Sequence, residues 1–156
     1  MRQKAVDASG VIWAPPDATL HSLCASAARC FGTSMAAVTI IDRDRQWFAA
    51  RIGISLPETS RAISFCAHAI LNPDELLVIE DAEKDDRFAG NPLVLGDPHI
   101  AFYASMPILN DEGYALGALC ILDRKPRSFD DADRKTLAEF GRRAASAIAD
   151  LVKARS

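Results

Sequence analysis

The stretch HIAFYASMPILNDEGYALGALCILD (residues 99–123) decides the fold. Two apolar runs flank the polar segment NDEG, which ends at Gly113. A four-residue loop ending in glycine is common in hairpins, because glycine readily takes the left-handed conformation that such a turn requires. The pattern therefore predicts a β-hairpin made of two long apolar strands.

A second hairpin is predicted from MAAVTIIDRDRQWFAARIGI (residues 35–54). Val38 and Ile40 are β-branched, DRDR is a polar break, and QWFAARI resumes the extended pattern. Between the hairpins, LLVIED (residues 76–81) predicts a short strand ending in acids. Strands joined by hairpins rather than by helical crossovers indicate an antiparallel sheet.

Helices are predicted at both ends of this region. PPDATLHSLCASAARCFG (residues 15–32) has apolar residues at helical spacing and ends at Gly32, a suitable C-terminal cap. SFDDADRKTLAEFGRRAASAIADLVKARS (residues 128–156) predicts a long helix that opens with Ser128 and Asp131 as a variant capping box. Its apolar stripe comprises Leu137, Phe140, Ala144, Ile148, Leu151 and Val152.

This order of elements predicts the α+β class, with one antiparallel sheet and the terminal helices on one of its faces. We expect a loose arm over residues 1–14 and a single domain over residues 15–156. The only stretch left to cover the other face of the sheet is the irregular middle, residues 55–99. We therefore expect that segment to form pocket-lining loops and short helices.

Composition is that of an ordinary globular protein, with 49% hydrophobic residues, 25% charged residues and a formal net charge of -3. An acidic balance with interleaved charges argues against nucleic acid as a partner. No apolar run approaches the roughly 18 residues that span a bilayer, and no signal peptide is recognisable. The four cysteines are too few and too irregular for a disulfide scaffold, so we expect a cytoplasmic protein.

Four segments in sequence order resemble the GAF domain family, especially the bacterial subgroup attached to sensor histidine kinases and diguanylate cyclases. They are SFCAHAIL (64–71), VIEDAEKDDRFAGNPLV (78–94), PHIAFYASMPI (98–108) and ALGALCILDRKPRSFDDADRKTLAEF (115–140). The resemblance runs from about Ala18 to Leu151.

The resemblance implies a central antiparallel sheet with helices on one side and a small-molecule pocket on the other. It also implies a sensory or regulatory role, often in dimers. The chain departs from the subgroup at Ala101, where arginine is usual, and at Ser105, where glycine is usual. If the arginine holds an anionic ligand group, this chain lacks that contact, and its pocket is altered or empty.

Cys66 and His68, in SFCAHAIL, are the most reactive-looking pair in the chain. Ser64 is a good N-cap and Asn72 precedes a proline, so the stretch reads as a helix. Residues two apart on a helix point about 200° from each other, which argues against a shared metal ion or a nucleophile and base pair. Cys66 alone is either a packed thiol or a redox-sensitive one near a helix N-terminus.

EDAEKDDRFAGNPLV (residues 80–94) offers carboxylates that resemble an acid-base pair. We favour a structural role, because Asp and Asn cap turns and Asn91 before proline has the form of an N-cap. We expect Phe88 to anchor this loop in the core and Arg87 to pair with an aspartate. Contact with a ligand is the alternative.

These patterns predict a sensory or regulatory GAF domain that binds an unidentified small molecule and signals through its terminal helices. No metal or catalytic constellation is predicted, and the identity of any cofactor is left open. The candidate pocket residues are Phe65, Cys66, Asp86, Arg87, Phe88, Asn91, Phe102 and Tyr103. Since Phe102 and Tyr103 are adjacent in a strand, one should face the helices and the other the pocket.

A partly heptad spacing of Leu137, Ala144 and Leu151 predicts a homodimer through the first and last helices. A histidine kinase or a cyclase is the expected kind of partner. Two alternatives stay open. One is a thiol-dependent reductase of the free methionine-R-sulfoxide reductase type, using Cys66 with Cys120 or another cysteine. The other is a dimerisation module with an empty pocket.

Overall fold

A computed structural model describes residues 2–3, 18–42, 45–54, 58–60, 70, 75–96, 99–110 and 113–154. The helices are α1 (Ala18–Phe31), α2 (Pro92–Leu95) and α3 (Asp131–Ala154), with a 3-10 helix at Ala82–Lys84. The strands are β1 (Met35–Asp42), β2 (Arg45–Ile52), β3 (Glu58–Ser60), β4 (Leu77–Ile79), β5 (Phe102–Leu109) and β6 (Ala115–Asp123).

In the described residues the strands form one antiparallel sheet in the order β3-β2-β1-β6-β5-β4. The two predicted hairpins are confirmed as β1–β2 and β5–β6, and they join side by side through β1 and β6, where Val38 pairs with Leu119. The predicted short strand is confirmed as β4, at the edge beside β5. The opposite edge strand, β3, was not predicted from the sequence.

Two buried clusters lie on opposite faces of this sheet, because successive strand residues point to alternate sides. The cluster on the helix face joins α1 and α3 to alternate strand residues and contains Leu20, Cys24, Val38, Phe102, Ile121, Phe129, Leu137 and Ala144. The other face carries a second apolar cluster, and none of its described members belongs to α1 or α3. The predicted α+β arrangement is confirmed.

The structure shows how α1 ends and how α3 begins. Gly32, directly after α1, has a φ of 67°, the left-handed value expected of the predicted glycine cap. The capping box of α3 was predicted two residues too early. Asp130 and Asp133 form it instead: the amide of Asp133 donates to Asp130 Oδ1 (2.8 Å) and the amide of Asp130 to Asp133 Oδ2 (3.1 Å).

Of the predicted N-terminal arm, the structure describes Arg2 and Gln3. The Arg2 guanidinium donates to the carbonyl oxygen of Ile41 at the end of β1 (2.7 Å). This contact places Arg2 against the sheet. Among the described residues, none of the helices is both long and apolar enough to span a membrane.

Candidate functional site

The face of the sheet turned away from α1 and α3 is covered by residues 80–96, here called the roof segment. Phe88, Leu93 and Val94 of this segment are buried in the same cluster as the sheet residues Tyr103 and Cys120. Ile70, from the part of the chain before β4, joins them. The expectation that the middle of the chain covers this face is confirmed for its described residues.

Local capping bonds shape the roof segment. Asp81 caps the 3-10 helix by accepting from the amide of Glu83 (3.2 Å), and Asn91 caps α2 by accepting from the amide of Leu93 (2.8 Å) with Pro92 at the first helical position. The predicted capping role in this stretch is confirmed for Asp81 and Asn91.

Phe88 anchors the roof segment, as predicted. Its side chain is fully buried, and the guanidinium carbon of Arg87 lies 5.3 Å from its ring centroid. Asp85 holds that guanidinium through two bonds, Nε to Oδ1 (3.1 Å) and Nη2 to Oδ2 (2.9 Å). The hydrogen bonds that Arg87 donates to the Asp85 carboxylate raise the pKa of Arg87 above its ordinary value, so the guanidinium stays charged at the outer rim.

Tyr103 and Ser105 are the polar side chains that β5 contributes to the roofed face. Tyr103 is fully buried in the roofed cluster. Ser105, two residues along, pairs with Leu77 on one side and Cys120 on the other. Its hydroxyl is fully buried and makes no hydrogen bond within the described part of the chain. A buried hydroxyl without a partner lowers the free energy of unfolding by about 1–3 kcal/mol, so such groups are rare in folded proteins.

The predicted site residues do not all come together. Phe88 and Tyr103 share the roofed cluster, Asn91 supports α2, and Asp86 and Arg87 are exposed on the roof segment. Phe102 lies on the opposite face, in the cluster with α1 and α3. Phe65 and Cys66 lie outside the described residues. Sequence reasoning noted Ser105 only as a departure from a family pattern, and it missed Glu80, which contacts the start of α3.

The described thiols differ sharply in exposure. Cys24 of α1 is fully buried on the helix face of the sheet and Cys120 is buried on the roofed face, whereas Cys30 is exposed at the end of α1. Burial raises the pKa of the Cys24 thiol to about 12, which keeps it protonated and unreactive. Within the described ranges, no three His, Cys, Asp or Glu side chains are grouped closely enough to hold a metal ion.

A comparison with protein-family models identifies the family of the chain. The family model of the GAF domain matches residues 15–148. The chain is 41% identical over 142 residues to the cyclic di-GMP phosphodiesterase PA2567 of Pseudomonas aeruginosa; the match covers 90% of this chain and 24% of that protein. The chain thus spans about a quarter of the length of this curated relative.

Solved structures support the same fold at low identity. A free methionine-R-sulfoxide reductase from Neisseria meningitidis superposes with a TM-score of 0.71 at 16% identity, covering 99% of this chain and 92% of that one. The GAF domain of an Acinetobacter phosphoenolpyruvate-protein phosphotransferase gives a TM-score of 0.69 at 16% identity, covering 96% and 91%. At such identities the likeness concerns the fold, which both sensors and enzymes use.

Proposed function

The chain belongs to the GAF domain family, and on that premise we propose that it is a sensory module in which a small molecule binds beneath the roof segment. The resulting signal passes through α1 and α3 to a partner or to a second copy of the chain. GAF domains are, as a class, sensory or regulatory, which makes this the simplest role for the fold.

One observation carries the proposal: the sheet separates a roofed face from a helix face. On the roofed face a segment of turns and short helices is anchored by buried apolar residues and fixed by local caps. On the helix face lie the two long helices at either end of the described fold. A ligand held under the roof would therefore be divided from the helices by a single layer of strands.

The buried surface beneath the roof favours an apolar ligand with a hydrogen-bonding group. None of the buried described residues carries a charge. Ala101 occupies the position where the resembling subgroup has arginine, and Arg87 is engaged by Asp85 at the rim. The Ser105 hydroxyl, fully buried and lacking a described partner, would supply the polar contact. A strongly anionic ligand would lose its hydration without gaining a cation there.

The partner is proposed from the relative. Because the chain is 41% identical to part of a cyclic di-GMP phosphodiesterase, we expect it to regulate an enzyme of cyclic di-GMP turnover, with a histidine kinase as the alternative effector. A cytoplasmic location belongs to the same proposal. The homodimer would use the outer faces of α1 and α3, since Leu137, Phe140 and Ala144 are already buried against the sheet.

Native mass spectrometry of the purified protein tests the sensory proposal. We expect a small molecule to be retained by the folded protein and released on denaturation, and to be retained less by Ser105→Ala. Thr39→Val is the control, because the Thr39 hydroxyl is also buried but donates to the carbonyl of Ala118 (3.3 Å). Sedimentation at micromolar concentration tests the dimer, and a monomer alone would remove that part.

The two alternative functions give other results. A methionine-sulfoxide reductase activity that disappears in Cys66→Ser would replace the sensory proposal with an enzyme. A dimer that retains no ligand and shows no thermal shift with nucleotides or other metabolites would indicate a dimerisation module.

A further inference from the structure

Glu80 connects the roofed face to the start of α3. It directly follows β4 and begins the roof segment. Its Oε2 atom accepts a hydrogen bond from the amide of Phe129 (2.8 Å), and its backbone carbonyl oxygen accepts one from the amide of Arg127 (3.1 Å). Both donors lie in residues 124–130, here called the linker, which joins β6 to α3.

The linker is also hydrogen-bonded to the end of α1. Arg127 Nη1 donates to the carbonyl oxygen of Gly32 (2.8 Å) and to Asp123 Oδ2 (3.1 Å). The other oxygen of Asp123 accepts from the Ser34 hydroxyl (3.0 Å). The linker is therefore the place where the roof segment, the end of α1 and the start of α3 are joined by hydrogen bonds.

Phe129 packs the linker against α1 and the sheet. Its ring is buried, with its centroid 5.5 Å from that of Phe31 in α1 and 5.7 Å from that of Phe102 in β5. Asp130, the next residue, is the N-cap of α3. A shift of the Phe129 amide would therefore change the packing of Phe129 against α1 and β5. It would also displace the N-cap of α3.

The residues that follow Glu80 are fixed in the roof segment by hydrogen bonds. The next residue, Asp81, caps the 3-10 helix, and the amide of Ala82 donates to the carbonyl oxygen of Ala101 just before β5 (2.6 Å). Glu80 thus joins the roof segment, which covers the proposed pocket, to the linker, which leads into α3.

We propose that Glu80 is the positioning residue that couples the roof segment to α3. When the roof loosens or tightens, Glu80 moves with it and carries the Phe129 amide. The coupling deepens the proposed sensory function, on which its purpose rests, by giving the route from the pocket side of the sheet to the output helix. Spatial arrangement alone does not establish coupling, so the test must measure an interaction between two changes.

A double-mutant cycle read by amide hydrogen exchange provides that test, without any ligand. Val94→Ala removes buried apolar contacts of the roof segment and should loosen it. In the otherwise unchanged protein we expect exchange to rise severalfold both in residues 80–96 and in residues 127–134. With Glu80→Ala as background, the same Val94→Ala change should raise exchange in the roof segment as before but leave residues 127–134 unresponsive.

Two further variants complete the design. Glu80→Gln keeps an oxygen acceptor for the Phe129 amide and should preserve most of the response, which shows that the hydrogen bond rather than the charge is required. Glu83→Ala, at an exposed position on the same segment, should preserve all of it. An equal response of residues 127–134 in the unchanged and Glu80→Ala backgrounds would overturn the proposal, as would no response in the unchanged background. Neither result depends on ligand retention, so the sensory proposal and the coupling fail separately.

Discussion

Phe102 and Tyr103 are neighbours in β5, yet they are buried in different clusters on opposite faces of the sheet. Phe102 packs with Phe129 beside α1 and α3, and Tyr103 packs with Phe88 beneath the roof segment. Each is almost completely inaccessible to solvent. A single strand thus presents one aromatic ring to the helices and the next to the roof.

The first prediction uses this pair. Phe102→Leu and Tyr103→Leu each shorten a buried aromatic side chain and should lower the free energy of unfolding by about 1–3 kcal/mol. Their local effects should differ: hydrogen exchange should rise in α1 and α3 for Phe102→Leu, and in residues 80–96 for Tyr103→Leu. The same exchange pattern in both variants would contradict the separation of the two faces.

The second prediction concerns the hydroxyl of Ser105. In ligand-free protein, Ser105→Ala should raise the free energy of unfolding by about 1–2 kcal/mol, because it removes a buried group that lacks a described partner. Thr39→Val should instead lower it by about 0.5–1.5 kcal/mol, since that hydroxyl is hydrogen-bonded. Urea unfolding of the three proteins measures both effects. A destabilised Ser105→Ala would show that the hydroxyl has a partner in the free protein.

The third prediction locates the cap of α3. Asp130→Ala should lower the free energy of unfolding by about 1 kcal/mol, because the amide of Asp133 in the first turn loses its carboxylate acceptor. Ser128→Ala, two residues earlier and exposed, should change it by less than about 0.5 kcal/mol. If urea unfolding showed Ser128→Ala to be the more destabilising of the two, Ser128 would be the N-cap.

The displaced cap shows what limits prediction from sequence. Ser128 and Asp130 are each suitable caps with an aspartate three residues on. Phe129 decides between them, because its buried ring and its bond to Glu80 hold residues 128–129 outside the helix. Glu80 lies 49 positions away in the chain, and no local pattern reveals its bond to Phe129.

Elsewhere in the chain, too, features set by the local sequence were predictable and features set by distant contacts were not. The hairpins, α1 and the long α3 follow from local periodicity, and the caps at Asn91 and Gly32 follow from residue type. Alternation placed Phe102 and Tyr103 on opposite faces, but assigning each face required the packing of the helices. The edge strand β3 was missed because its short sequence, ETS, carries little strand signal.

The fourth prediction concerns the close approach of β1 and β6. A Cβ atom at Gly117 would collide with the carbonyl oxygen of Thr39 in the paired strand. Gly117→Ala should therefore lower the free energy of unfolding by more than about 3 kcal/mol, since neither backbone can yield without breaking the ladder. Gly90→Ala meets no atom within 4 Å and should change it by less than about 1 kcal/mol. Equal effects in thermal or urea unfolding would contradict this strand register.

The last prediction is a pH dependence set by Cys24. Burial raises the pKa of this thiol to about 12, whereas an unfolded cysteine has a pKa of about 8.5. Between these values the folded protein keeps a proton that the unfolded chain loses. Cys24 therefore stabilises the folded state fully below about pH 8.5, and the contribution falls by up to about 1.4 kcal/mol per pH unit as pH rises toward 12.

Urea unfolding of wild type and Cys24→Ala between pH 7.5 and 10.5 isolates this contribution, because other groups that titrate there are common to both proteins. We expect the free energy of unfolding of the wild type to fall more steeply with pH than that of Cys24→Ala. Cys30→Ala is the matched control on the same helix, because it removes an exposed cysteine rather than a buried one. Parallel slopes for wild type and Cys24→Ala would mean that the Cys24 thiol ionises as readily in the folded state as in the unfolded chain.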